Sequence, residues 1–252
     1  MNRYKAISAF IIGLSIIITS LILGRSLINR NAADDTISVV GLGTKDFLSD
    51  EIRWAGSFSS KSMDAKEAYS KILSDKSKVD AFFKSKGFTE NEYSFGGIQI
   101  EKTYRTVYTE TDKGYTRTET IFDGYVASLT VVFNSIKNDA LMKKIEAVSE
   151  QTAELINSGI EFMGQDLQYS YSDLASLKYD LIEAGTQDAR ERASKITKKG
   201  KGSLGKLKTA SMGVFQITGK GSEEEDTYGG ILDTKSKWKT ARITVRLTYN
   251  LK

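Results

Sequence analysis

A chain of 252 residues with no His, no Cys and no Pro cannot build a zinc site of the usual kind, a Ser-His or Cys-His nucleophile, an imidazole base or a disulfide. Formal charge is +4, and with Arg3 and Lys5 set aside the chain from residue 25 onward carries 34 bases against 32 acids. So small a net charge, with both signs interspersed, is no nucleic-acid footprint, and missing cysteine leaves the redox compartment open.

Ala6 to Gly24 reads AISAFIIGLSIIITSLILG, nineteen residues without a charge behind Arg3 and Lys5. A membrane-crossing helix needs about 17 to 25 such residues, and a secretory h-region only roughly 7 to 15. We expect residues 1–30 to be an uncleaved anchor that meets the membrane through residues 6–24. Positive charge before the span keeps the N-terminus in the cytoplasm and sends residues 31–252 across, although Arg25 and Arg30 oppose that orientation. Gly24 and Ser26 leave cleavage and export open as an alternative.

From Thr36 the pattern turns to period two. Ile37 and Val39, then Ile52, Trp54 and Phe58, predict two strands that pair with each other, with Gly41 and Gly43 at a turn or bulge between alternating positions. Asp64 to Lys86 predicts a helix with Ala65, Ala68, Ile72, Val79, Phe82 and Phe83 inward and Gly87 as its stop. Ser94 to Tyr108 and Tyr115 to Phe133 alternate around a polar connector, a long hairpin with a bulge near Asp123-Gly124. Ser135 to Asn157 predicts one helix and Ile160 to Tyr171 a strand.

Ser172 to Gly200 predicts a long amphipathic helix. Its stripe runs Leu174, Leu177, Leu181 and Ala184, slips, and resumes at Ala189, Ala193 and Ile196. Ser172 or Asp173 caps it, Lys198 and Lys199 complement the dipole, and Gly200 ends it. Asp188 with Arg192 and Glu191 with Lys195 pair four residues apart on the outer face. Strands follow near Thr209 to Thr218 and at Lys239 to Leu251, the latter a clean half-buried alternation. Gly219 to Lys237, with Glu223 to Asp226, reads as a flexible acidic loop. The order ββαββ then αβαββ makes an α+β fold of mainly antiparallel sheets with packed helices, in two similar halves behind one transmembrane helix.

No catalytic pattern survives inspection. Gly200 to Lys206 spells GKGSLGK, yet Leu207 stands where a phosphate loop needs Ser or Thr, and the motif follows a helix when it should precede one. Ser203 and Lys206 form an S-x-x-K without companion motifs. The acids Glu223 to Asp226 lack the spacing and central glycine of a calcium loop. No cofactor and no metal is therefore expected. Tyr104, Tyr108, Tyr115 and Tyr125 fall on the hairpin, where a projecting Tyr- and Thr-rich ribbon is a candidate subunit contact. Asp188, Arg190 and Arg192 on the long helix's charged face are the second candidate.

Several strings resemble the SIMPL-domain family of bacterial envelope proteins. They are Ile37-Ser38-Val39-Val40-Gly41-Leu42-Gly43, the helix Ala65 to Gly87, Gly124-Tyr125-Val126-Ala127-Ser128, Asp188-Ala189-Arg190-Glu191-Arg192-Ala193, and Gly205-Lys206-Leu207 entering a strand. Ser49-Asp50 replaces the family's usual Pro-Asp, and Gly185-Thr186 interrupts its alanine-rich helix. The resemblance implies an exported α+β domain, secreted or anchored, with no known catalytic residues. It also implies self-association, in some members as ring-like or channel-like assemblies, and in some a link to stress tolerance. The expected function is thus a non-enzymatic, single-pass envelope protein of the inner membrane that forms homo-oligomers. The alternative is an extracytoplasmic adaptor that binds a ligand or partner through the acidic loop or a pocket between helices and sheet.

Overall fold

In a computed structural model that describes residues 3–31, 35–110, 116–222 and 229–252, the alternation at the C-terminus becomes the spine of an antiparallel sheet. This strand, β10 (Trp238–Leu251), pairs along its length with β1 (Thr36–Leu48), from Thr36↔Asn250 to Leu48↔Trp238. Its other edge takes β8 (Leu204–Met212) and β9 (Gln216–Gly219). Ala241, Ile243, Val245, Leu247 and Tyr249 all turn to one buried face. Across that face lies α5 (Leu174–Lys199), the long helix expected from the sequence, capped by Asp173, whose carboxylate accepts from the Ser176 amide.

The second sheet is built on β5 (Thr116–Ile136). On one side it pairs with β2 (Glu51–Ser62), on the other with β3 (Tyr93–Phe95) and β4 (Gln99–Glu110). Two short strands, β6 (Phe162–Gly164) and β7 (Gln168–Ser170), take the far edge of β2. The helices α2 (Ala65–Ser85), α3 (Asp139–Ser149) and α4 (Ala153–Asn157) close its inner face over Trp54, Phe58, Phe83, Phe133 and Ile145. Trp54 reconciles burial with its polar edge by donating from Nε1 to the Gln165 carbonyl at 3.0 Å. The class is the α+β class of antiparallel sheets expected from the sequence, but the order is ββαβββααββαβββ rather than ββαββ then αβαββ, and each sheet draws on separated parts of the chain.

Several local expectations fail for physical reasons. β1 and β2 do not pair; they belong to different sheets, and Ser49-Asp50 carries the chain between them. Asp50 holds that corner by accepting from the amide and hydroxyl of Ser172, both at 2.7 Å. Gly41 and Gly43 form no bulge, because the β1 register against β10 is continuous. The stretch from 135 to 157 is not one helix: β5 continues to Ile136 and a turn separates α3 from α4. Likewise the strand expected over 160–171 splits in two around Gln165, whose amide donates to the Ala55 carbonyl. The acidic cluster Glu223 to Asp226 lies outside the described residues. Within the described part of that expected loop, residues 231–237 form a strap that bonds Ile217 in one sheet and Tyr169 in the other.

The stripe of α5 is also simpler than expected. Leu177, Leu181, Gly185, Ala189, Ala193 and Thr197 are buried at a strict four-residue interval, while Ala184 and Ile196 face solvent. The reason is the distance of approach. A Cβ on Gly41 would stand 2.1 Å from the Gly185 carbonyl oxygen, and one on Gly43 would stand 2.0 Å from that of Leu181. From the helix side, a Cβ on Gly185 would meet the Gly43 amide nitrogen at 3.0 Å. Helix backbone therefore rests on strand backbone, and where Gly41 and Gly43 meet Gly185 and Ala189 nothing larger than alanine fits. Thr197 is tolerated because its hydroxyl donates to the Ala193 carbonyl at 2.9 Å.

Ahead of both sheets, α1 (Arg3–Asn31) contains one apolar segment, Ile7–Leu27, long enough to cross a membrane. None of it is covered by the rest of the protein, so it is not a core helix.

Gly43→Ala should lower stability by about 1–3 kcal/mol through overpacking against the Leu181 carbonyl. Gly97→Ala, with open space at its Cβ, should stay within about 0.5 kcal/mol of the parent. Denaturant midpoints followed by Trp fluorescence compare the two.

Candidate self-association surface

Pairing between β2 and β5 stops at Ser62↔Tyr125, but β4 and β5 go on from Tyr104↔Phe122 to Glu110↔Thr116. Over that length, among the described residues, both backbone edges of the ribbon are free. At about 3.3 Å per residue it extends about 20 Å past the sheet. An isolated two-stranded ribbon is marginally stable in water, and its unpaired edges invite another chain.

The ribbon begins at the bulge expected near Asp123-Gly124. The register slips between Thr103 and Tyr104, leaving Asp123 as the extra residue. Gly124 sits at φ +103°, where a side chain would strain the backbone and press on the Ser62 carbonyl. Asp123 is held by Lys61, with Arg105 nearby, and these cations keep its carboxyl below the ordinary value.

Beyond the bulge, Tyr104, Tyr108 and Phe122 share one face and are 58%, 70% and 36% exposed. The Tyr104 and Phe122 rings lie 5.9 Å apart, and Phe122 in turn meets Tyr125 at 5.3 Å. Tyr125 is half-buried and packs on the core of the second sheet, so it roots the aromatic row. Tyr115 lies outside the described residues. Arg105, Val107, Thr109, Arg117, Glu119 and Ile121 make the opposite, more charged face.

The charged face of α5 belongs to the other sheet and does not join the ribbon. Arg190 is exposed there. Asp188 and Arg192 have work within the chain. The Asp188 carboxylate accepts from the backbone amide of Leu42 at 2.9 Å and from Arg192 Nε at 3.0 Å. One amide on the free edge of β1 is thereby closed to other strands, a contact 146 residues apart in sequence that no local pattern announces.

The sequence profile of SIMPL, a protein of unknown function (DUF541), matches residues 37–248. The chain belongs to the SIMPL family. Comparison with curated proteins finds no match. The matched span of this SIMPL chain begins in β1 and ends in β10, the two strands that embrace the seam with α5.

Elsewhere in the SIMPL domain, several described ionisable groups have partners within the chain. Asp80 accepts from the Tyr93 hydroxyl at 2.7 Å and pairs with Lys84, which hold its carboxyl below the usual range. Burial and the same contact push the Tyr93 phenol up to about 12. Glu92 and Asp233 are also low, since amide hydrogen bonds and neighbouring lysines overcome their desolvation. A general acid needs a carboxyl pushed the other way.

Lys239 is 1% exposed and donates to the Asp233 carbonyl, which ties the strap to β10; burial lowers its pKa against the pull of Asp233. Beside it lies a cavity of about 60 Å³ lined by Phe47, Tyr169, Tyr171 and Ile217, too small for a substrate. Sequence reasoning missed this residue, although a signal was present: Lys239 falls in phase with the inward positions Ala241 and Ile243.

Because the Asp188 carboxyl lies below its ordinary 3.8, the folded protein holds fewer protons there than the unfolded chain. Its contribution is complete above that value and is lost as pH falls through the folded pKa. Asp188→Asn should thus lower Tm at pH 7, with the gap from the parent narrowing as pH drops below about 4. Calorimetric scans across pH check both the sign and the window.

Proposed function

We propose that this SIMPL protein is a membrane-anchored, non-enzymatic component of the bacterial envelope whose extracytoplasmic domain assembles with copies of itself. The observation that carries the reading is the ribbon: some 20 Å of two-stranded sheet, open on both edges, with Tyr104, Tyr108 and Phe122 exposed on one face. A monomer gains nothing from leaving such a surface in water, whereas a second copy covers rings and edges together. Arg3 and Lys5 before the apolar span favour an N-terminus inside and a domain outside the inner membrane. Ring-like or channel-like assembly and a role in envelope stress follow from the family resemblance.

Absence of bond-making chemistry is part of the same proposal. Supporting it, among the described residues the carboxylates with displaced pKa values, Asp46, Asp80, Glu92, Asp123, Asp188 and Asp233, all lie below their ordinary value and have hydrogen-bonding or cationic partners. A second reading, a partner-binding adaptor, draws on the open groove of about 610 Å³ between α2 and the edge strand β3. Leu73, Lys76, Asp80, Tyr93 and Phe95 line it.

Light scattering on the full chain in detergent, with the detergent mass subtracted, should return a multiple of 27.9 kDa. The Tyr104→Ser/Tyr108→Ser variant should shift that mass towards the monomer while its denaturant midpoint stays within about 0.5 kcal/mol of the parent, as expected for exposed positions. A wild-type chain that remains monomeric at micromolar concentration overturns the proposal.

A further inference from the structure

We propose that the end of the domain next to the anchor docks on an anionic phospholipid surface, an inference that rests on the anchoring just argued. The tether fixes which end that is. The apolar span closes at Leu27 and α1 at Asn31, and the Asp35 carbonyl already accepts from the Leu251 amide at 2.8 Å. At about 1.5 Å per helical residue and about 3.5 Å per extended one, Asp35 stands within about 20 Å of the end of the span.

Four elements meet at this end: β1 begins, β10 finishes, β8 begins and α5 finishes. They bring Lys198, Lys199, Lys201, Lys206 and Lys252 to one exposed patch. Residues 198–208 hold five lysines and no acid. Among the described residues no carboxylate pairs with Lys198, Lys199, Lys201, Lys206 or Lys252, whereas Lys195 one turn earlier has Glu191 and Arg192 has Asp188. The dipole of α5 accounts for Lys198 and Lys199. It does not account for Lys201, Lys206 and Lys252, which lie past the helix. Lys201 even occupies a left-handed position, φ 61°, between two glycines that would adopt it at lower cost.

Apolar side chains sit among the cations. Ile196, Leu207 and Leu251 are 55%, 51% and 39% exposed, each beside a lysine. Cations flanked by exposed aliphatic residues are the composition of a surface that rests at the headgroup boundary, with lysines towards phosphate and aliphatic tips towards the acyl chains. Attraction of this kind acts within about a Debye length, roughly 8 Å at physiological salt, a range the short tether makes reachable. The GKGSLGK string, which fails as a nucleotide loop, thereby acquires a reason for its lysines: cations held at this end by backbone bonds from Gly202 to Thr197 and from Ser203 to Lys252, where they meet phosphate at a membrane plane.

The test places the full chain in nanodiscs of phosphatidylcholine alone and of phosphatidylcholine mixed with phosphatidylglycerol, then follows lysine acetylation by peptide mass spectrometry. Labelling of Lys198, Lys199, Lys201, Lys206 and Lys252 should slow by about threefold or more in the anionic discs, and about 0.5 M NaCl should restore it. Lys71 and Lys143, exposed on the second sheet's helices, should label alike in both. The variant Lys198→Glu/Lys201→Glu/Lys206→Glu should remove the difference at Lys199 and Lys252. Equal rates in the two discs, or a variant that keeps the full difference, overturns the inference while leaving the anchor intact. A chain that does not co-elute with discs contradicts the anchor and the docking together.

Discussion

Backbone lies on backbone where α5 crosses β1, and the remainder of the molecule is arranged around that approach. Gly41, Gly43, Gly185 and Ala189 remove the side chains that would hold helix and strand apart. With the gap closed, the row of Leu177, Leu181, Ala189 and Ala193 meets Val39, Val245 and Ile243 and forms the small cores of the first sheet. Close approach also lets a short carboxylate, Asp188, reach the Leu42 amide on the strand's open edge. Interior close packing makes such a seam intolerant: one methyl group on either glycine has no vacant volume to enter.

The second sheet solves its packing differently. Its core is large and aromatic, with Phe83 and Phe133 rings 4.7 Å apart and Trp54 at 5.3 Å from Phe133. A core of that size fixes β5 at its inner end, and from this footing the same strand runs outward as the ribbon. Stability and exposure are thus separated along one strand: Val131 and Phe133 are fully buried, whereas residues 116–121 face water on both sides. The strap from 231 to 237, joined to Glu146 through Lys237 at 2.7 Å, ties the two sheets together. The open ribbon and the lysine-rich end thus lie on different sheets of the domain.

Legibility in the sequence followed the range of the interaction responsible. Period-two alternation in β10, the Asp173 cap of α5, the Gly87 stop of α2 and the Asp123-Gly124 bulge depend on neighbours within a few residues and are legible, whereas the left-handed residue after α5 is Lys201 rather than Gly200. The partner of β1 is not legible, because pairing Thr36 with Asn250 spans nearly the whole chain and a strand's alternation says nothing about which strand lies beside it. Gly41 and Gly43 read as a turn or bulge since glycine in a strand usually marks irregularity; the other cause, close backbone approach, needs the helix to be in place. Hydrophobicity points Ile196 inward and makes Gly185 look like an interruption, yet Ile196 is exposed and Gly185 is buried because it lacks a side chain. At the candidate surface, the position of Tyr104, Tyr108 and Tyr125 on the hairpin is legible in the sequence, and Tyr104 and Tyr108 are exposed there. Phe122, which joins Tyr104 to Tyr125, is not legible there, because the register slip at Asp123 puts it on their face.

The account holds that one part of this domain is complete in the monomer and another is completed by a second copy. Hydrogen exchange on the full chain, measured over a series of protein concentrations, separates the two most directly. The account predicts that amides of β1 and β10 beneath α5 exchange equally slowly throughout, while those of residues 104–109 and 117–122 become slower as concentration rises. Ribbon amides that exchange at one rate at every concentration would contradict it.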